Sequence, residues 1–537
     1  MKLIHPQQLE KLPPCRANCP SGTDIRGWIA IISQRDKLGL DKEQAYLQAW
    51  QHLVDFNPLP SVLGRVCPHT CEMHCNRIDK DQQVTIHAME RFLGDWALEK
   101  QLPLPVRDRT DNPQSIGVIG SGPAGLSFAY QMTRRGHDVT IYEQHDNTGG
   151  MLRYGIPRYR LPREILDGEV RRITDLGVTI LTGIRVGRDI EVTELKQRHS
   201  ALFVGIGADH PRQLEIPGEN GPGVLAGTQF MYRINQRHHL DPGHDVIVIG
   251  GGNTAIDSAR AARRLGTKVT LLYRRTREEM PAVDEEVEEA LAEGIDIHFL
   301  AAPAAILRDG DRITAVHVQR MVPGEPDASG RRRPVPVEGD VYDLPASTII
   351  AAVSQYPEWG NLEALKPTPG QVKVDACGQM AVDTWTGGDT LGLGTVSRAI
   401  GHGRIAAQAA LAEHCKDSAG LDPSSPVSRE TMHLDYYDSR PPVKESVRPS
   451  DEWLSKPDDE VHQSISEEQF LQEVTRCLSC GCCFGCEQCW MFCNPGAYVR
   501  NENGRPGAYF TFNESLCEGC GKCIDVCPCG YLSPAGS

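Results

Sequence analysis

Apolar residues along the chain change period several times, and each change marks an element. Over residues 1–110 they recur at helical spacing, as in IRGWIAIISQRD and QAYLQAWQHLVDF, which predicts a small α-helical domain. From Ser115 to Glu143, and again from Asp245 to Arg275, the order is apolar strand, glycine turn, Ala-rich helix and second apolar strand. Two Rossmann-like βαβ units are therefore expected in one chain. ALFVGIGA (201–208) reads as a further strand, and TGGDTLGLGTVSRAIGHGRIAAQAA (386–410) as a glycine turn opening a helix. Residues 416–470 are rich in Pro, Ser and charge with little periodicity, which predicts a surface-running connector. A Cys-dense segment, 471–537, follows it. No apolar run is long enough to span a bilayer, and MKLIHPQQLEKLPP lacks the features of a secretory signal, so a cytoplasmic protein without a membrane span is expected.

At 537 residues the chain has room for several domains. Its formal charge of -15 repels nucleic acid and anionic membrane surfaces. The 19 cysteines change the picture most, because all but Cys377 and Cys415 lie within 15–75 or 477–529. Such clustering favours metal clusters over disulfides.

In the first βαβ unit, Gly120, Gly122 and Gly125 follow the strand and open the helix, and Glu143 ends the second strand. The glycines let a pyrophosphate reach backbone N–H groups at the positive helix end, and the carboxylate suits ribose hydroxyls. In the second unit the glycine positions hold Gly250, Gly252 and Ala255. Tyr273 stands where the acid would be, followed by Arg274 and Arg275. Loss of the acid and gain of two guanidinium groups favour the 2′-phosphate of NADP(H) over NAD(H), with a solvated strand end as the alternative. Two nucleotide sites suggest a flavin and a nicotinamide meeting across a cleft. Hydride transfer between them needs stacking and orientation rather than a side-chain acid, so no catalytic residue is assigned. Gly388 and Asp389 precede the later helix, where Asp389 suits the ribityl chain of FAD.

Near the C-terminus Cys483, Cys486, Cys489 and Cys493 repeat as Cys517, Cys520, Cys523 and Cys527, each set spaced C-x2-C-x2-C-x3-C. This is the spacing of two-cluster ferredoxins, in which the fourth cysteine of each set serves the other cluster. The expected 4Fe–4S ligand sets are thus Cys483, Cys486, Cys489 and Cys527, and Cys517, Cys520, Cys523 and Cys493.

The succession of glycine unit, inserted second glycine unit, GGD and AIGHGR resembles the two-dinucleotide flavoprotein arrangement of the glutamate synthase small subunit. The resemblance implies an FAD domain over 111–235 and 370–415 and an NAD(P) domain over 236–369, between the helical iron–sulfur domain (1–110) and a ferredoxin-type α+β domain (471–537). PCRANCPSG with Cys15 and Cys19, and GRVCPHTCEMHC with Cys67, Cys71 and Cys75, resemble the iron–sulfur domain shared with dihydropyrimidine dehydrogenase. In that family two cubanes usually interleave, one using a Glu or Gln after the last cysteine and the other an upstream RC-x2-CG pair. No such pair precedes Cys15, but RCLSCG, with Cys477 and Cys480, stands just before the ferredoxin motif. The expectation is that the tail, from this chain or from a second copy in a homodimer, folds back. One cluster would take Cys15, Cys75, Cys477 and Cys480, and the other Cys19, Cys67, Cys71 and Glu90. The alternative is a single N-terminal cluster built from four of its five cysteines.

The implied function is an NAD(P)H:acceptor oxidoreductase that passes electrons between NAD(P)H, FAD and 4Fe–4S clusters, to or from a protein partner. Candidates for that partner are a ferredoxin, a 2-oxoacid oxidoreductase, or dissimilatory sulfite reductase, whose iron–sulfur flavoprotein partner the tail resembles. Two alternatives are the electron-input subunit of a glutamate synthase and a non-catalytic assembly subunit.

Overall fold

A computed structural model describes every residue except 1–2, 108, 329, 367–371, 412–425 and 536–537. Cys415, the expected end of the flavin domain and the first part of the expected connector lie outside the described residues.

The N-terminal domain is helical, with helices Ile25–Ser33, Lys42–Val54, Pro60–Val66 and Ile86–Glu99. Asp24 caps the first of these by accepting from the Gly27 amide, and a capping box of Asp41 with Gln44 starts the second. Their apolar stripes enclose Trp28, Tyr46, Trp50, Leu63 and Leu93. A helix from the far end of the sequence, Glu467–Val474, completes this core. Phe470 stacks on Phe92 with ring centroids 4.3 Å apart and meets Tyr46 edge-on at 5.4 Å. The tail therefore folds back within its own chain.

The first dinucleotide domain is a six-stranded sheet in the order Gln379–Ala381, Thr384–Thr386, Ala201–Val204, Ser115–Ile119, Asp138–Tyr142, Thr179–Leu181. All neighbours run parallel except the first pair. The strands Ser115–Ile119 and Ala201–Val204 are apolar almost throughout because helices cover both faces. The second domain is a five-stranded parallel sheet, Asp296–Phe299, Lys268–Tyr273, Asp245–Ile249, Thr348–Ala351, Val224–Ala226, with a three-stranded antiparallel sheet over residues 301–345 beside it. Val224–Ala226 lies upstream of residue 236, where the sequence suggested the nicotinamide domain begins. Parallel pairing with Thr348–Ala351 draws it there.

The ferredoxin-type domain pairs Tyr498–Arg500 with Phe510–Phe512, and its second small sheet borrows from the opposite terminus. Pro6–Gln8 runs antiparallel to Leu532–Pro534. The described part of the expected connector is a strap packed on its neighbours, burying Val427, Met432, Val443, Trp453 and Val461. Glu460 meets Arg65 at 2.7 Å and Arg91 at 3.0 Å. Its buried apolar residues stand several positions apart in the sequence, so they leave no period there. No described helix is long and apolar enough to cross a membrane.

Candidate functional site

The three glycines of the first unit have separate physical roles. Gly120 adopts φ +95°, and a Cβ there would stand 2.4 Å from the Gly205 carbonyl oxygen. A Cβ on Gly125 would stand 2.1 Å from the Gly120 oxygen, so this glycine lets the helix Pro123–Thr133 close on the strand. At Gly122 nothing lies within 4 Å, which leaves the helix N-terminus open to an approaching phosphate. Glu143 is buried beside this turn. It accepts from the Ser121 amide at 2.9 Å, the Ser121 hydroxyl at 2.5 Å and the His145 amide at 2.9 Å. Both oxygens are held in one orientation, with lone pairs left for ribose hydroxyls. Ser121 is a residue the motif reading passed over. Gly388 has φ +67° and donates its amide to His402 at 3.1 Å, while Asp389 accepts from the Gly394 amide at 2.9 Å. Burial raises the Asp389 pKa.

The second unit repeats the design. A Cβ on Gly250 would meet the Ala352 oxygen at 2.3 Å, Gly252 faces open space, and Ala255 is fully buried. The two arginines separate. Arg274 is exposed, whereas Arg275 is buried, pairs with Asp327 at 2.6 Å and donates to the Arg332 carbonyl at 3.0 Å. Arg274 is thus the guanidinium still presented at the strand end.

The cysteines converge in space. Cys15, Cys75, Cys477 and Cys480 line one cavity with Pro14, Ile25, Ile29 and Ile86. Burial pushes the thiols up, Cys477 to about 11, and the other sulfurs of the set add to the effect. To ionise in so dry a space, these four thiols need a cationic core between them, which a cubane would supply. Arg26, 2% exposed, donates to the carbonyls of Cys480 at 2.6 Å and Lys11 at 2.8 Å and pairs with Glu10. Its one sequence signal was a charge within the apolar IRGWIAI face.

Cys67 lies within electrostatic reach of Glu90 and Cys19 and near the Ser397 hydroxyl. Burial lifts this thiol to about 12, with Glu90 and Cys19 adding to the rise. Glu90 is enclosed enough for burial to push its carboxyl up to about 7, although Asn57 donates to it at 2.7 Å. A second cavity holds Cys483, Cys486, Cys489 and Cys527 together with Gln8 and Cys529. Cys529 was left unassigned from the sequence, and its sulfur lies 4.0 Å from that of Cys527. Cys523 lies within electrostatic reach of Cys517 and Cys493, and Cys520 is exposed. Two of the expected donor sets each line one cavity, and in the other two Cys67 and Cys523 each have members of their own expected set as electrostatic neighbours, with Glu90 the one oxygen donor.

Comparison with known proteins assigns the domains to families. The family model for pyridine nucleotide-disulphide oxidoreductases matches residues 114–403, and the chain belongs to that family. The model for dihydropyrimidine dehydrogenase domain II, with its 4Fe-4S cluster, matches 10–102, and a 4Fe-4S binding domain matches 510–530. The chain is accordingly an oxidoreductase with an FAD- and pyridine-nucleotide-binding fold and 4Fe–4S domains in both terminal regions. It is 34% identical over 511 residues to the beta subunit of NADPH-Fe(3+) oxidoreductase of Geobacter sulfurreducens, covering 87% of this chain and 75% of that one. It is 32% identical to the glutamate synthase (NADPH) small chain of Azospirillum brasilense, covering 69% and 78% respectively. Among solved structures, a variant of FprA from Mycobacterium tuberculosis shares the fold, with a TM-score of 0.50 at 18% identity over 68% of this chain and 99% of that one.

Proposed function

We propose that the chain exchanges electrons between NADPH and a protein partner in the cytoplasm, through FAD and four 4Fe–4S clusters in a fixed order. A bound flavin takes a hydride as an electron pair and gives the electrons up singly, as one-electron clusters require. The residues expected to hold the FAD are Gly120, Gly122, Gly125, Glu143, Gly388 and Asp389. Gly250, Gly252, Ala255 and Arg274 would hold NADPH, with Arg275 shaping the site through Asp327.

The observation that carries this reading is the succession of thiol sets that lie within electrostatic reach of one another. Cys67 lies near Ser397, on the helix Val396–Ala410 that follows the GGD turn. A Cβ on Gly401 of that helix would stand 2.4 Å from the Pro20 oxygen, next to Cys19. Cys71 of this set lies within electrostatic reach of Cys15 in the next. Cys480 is three residues from Cys483, Cys489 feels Cys523, and Cys520 reaches the surface. The named relatives, an NADPH-Fe(3+) oxidoreductase subunit and a glutamate synthase (NADPH) small chain, favour NADPH as the donor.

The experiment is anaerobic mixing of the holoprotein with NADPH. Bleaching of the flavin band followed by reduction of a viologen dye is expected. A flavin that stays oxidised with both NADPH and NADH would instead favour a non-catalytic assembly role.

A further inference from the structure

The last thiol set opens onto an unusual surface. Beside Cys520, Leu3 and Ile4 are 66% and 42% exposed, and Ile4 donates its amide to the Gly519 carbonyl at 2.8 Å. Leu516, which precedes Cys517, is 46% exposed, and Phe492, which precedes Cys493, is 40% exposed. Exposed apolar side chains thus lie beside Cys520, the one exposed cysteine among the described free thiols: Leu3 and Ile4 against its loop, and Leu516 a few residues before it in the chain. Large apolar side chains left exposed beside a redox centre suit protein contact.

The rim is acidic. Glu514, Glu518 and Asp525 are exposed and form no salt bridge among the described residues. The one cation in the same stretch, Lys522, lies over the Phe492 ring at 5.0 Å. An apolar centre within a charged rim is the anatomy of a transient interface, where the rim sets partner choice and encounter rate.

We propose that this face docks a one-electron redox protein carrying lysine or arginine side chains around its own centre. The proposal rests on the electron-transfer reading above and narrows the partner to a basic-rimmed one. A small acidic ferredoxin would meet like charge here. The electron balance is simple: one NADPH gives up a hydride, and its two electrons reduce two partner molecules, with one proton released.

Mitochondrial cytochrome c, whose haem edge is ringed by lysines, serves as the probe. Its oxidised form is titrated into the oxidised holoprotein by calorimetry at rising ionic strength, so binding is read without turnover. Affinity should fall with salt. The triple variant Glu514→Gln, Glu518→Gln, Asp525→Asn should lose about tenfold in affinity at low salt and most of the salt dependence. A control triple on the nicotinamide domain, Asp311→Asn, Glu325→Gln and Glu338→Gln, removes equal charge and should leave affinity unchanged. Equal losses in both triples would trace binding to net charge and overturn the proposal, as would no loss in the first. Leu516→Ser should also weaken binding. If it instead abolishes self-association in sedimentation, the face belongs to a second copy and the proposal fails. Iron content and circular dichroism check that each variant is folded. Flavin bleaching by NADPH, followed in parallel, separates the two claims: its failure in the parent protein would sink the electron-transfer reading and leave the binding result standing.

Discussion

The Gly481 amide donates to the Cys529 carbonyl at 2.6 Å, tying the turn after Cys480 to the turn after Cys527. This hydrogen bond joins the two described thiol cavities. Gly481 sits at φ +70°, and a Cβ there would stand 2.5 Å from Val427 Cγ2 and 2.8 Å from Lys11 Cβ. Gly481→Ala should cost about 1–2 kcal/mol from the backbone conformation alone, with the clash adding to it. The expected outcome is a lower unfolding midpoint and iron loss that reaches both cavities, checked by iron analysis and low-temperature electron paramagnetic resonance of the reduced protein.

Replacing Cys477 and Cys480 by alanine should act more narrowly. These thiols line the cavity shared with Cys15 and Cys75 and none of the residues of the ferredoxin-side cavity. Iron content should fall by about one cluster's worth while the ferredoxin-type signals persist. Unchanged iron would leave the N-terminal domain with a single cluster of its own.

For the nucleotide, Arg274 and Arg275 should behave differently. Arg274→Ser removes an exposed guanidinium, so the KM for NADPH should rise about tenfold at unchanged kcat, with NADH unaffected. Arg275→Ser breaks the pair with Asp327, and a lower melting temperature should accompany a smaller KM effect. Steady-state kinetics with both nucleotides and a thermal scan distinguish the two roles.

The pairing of Arg274 and Arg275 illustrates what the sequence could and could not show. Glycine turns, the Glu143 position and the ferredoxin spacing are local, so a motif can be read for each from a few neighbouring residues. The RCLSCG pair was legible because the N-terminal motif lacked its own upstream pair. What stayed hidden was long-range. Nothing near Arg275 announces Asp327 as its partner, and nothing in PQQ announces pairing with Leu532–Pro534. The strap from 426 onward buries isolated apolar residues without a period, so its composition read as solvent-exposed chain.

Acid should loosen the tail's attachment through Asp81. Burial alone would raise this carboxyl, but hydrogen bonds from Arg77, the Arg440 amide and Arg476 outweigh it and hold the group at about 2. Because the folded value lies below the ordinary 3.8, the contribution is fully present above about pH 4 and is lost as pH falls toward 2. Allowing for solvent screening, it amounts to about 1 kcal/mol. In urea titrations the parent should exceed Asp81→Asn in stability at pH 5, and the gap should close at low pH.

The strand pair of Pro6–Gln8 with Leu532–Pro534 sets a timetable for synthesis. Residues 6–8 leave the ribosome long before the partners they pair with, and Cys15 and Cys75 precede Cys477 and Cys480 of the same cavity in the same way. A cluster held by those four thiols would therefore be completed only after both nucleotide-binding domains have been synthesised. A polypeptide cut short before residue 477 would keep both glycine turns and lack two of the four thiols of that cavity together with every other cysteine of the tail.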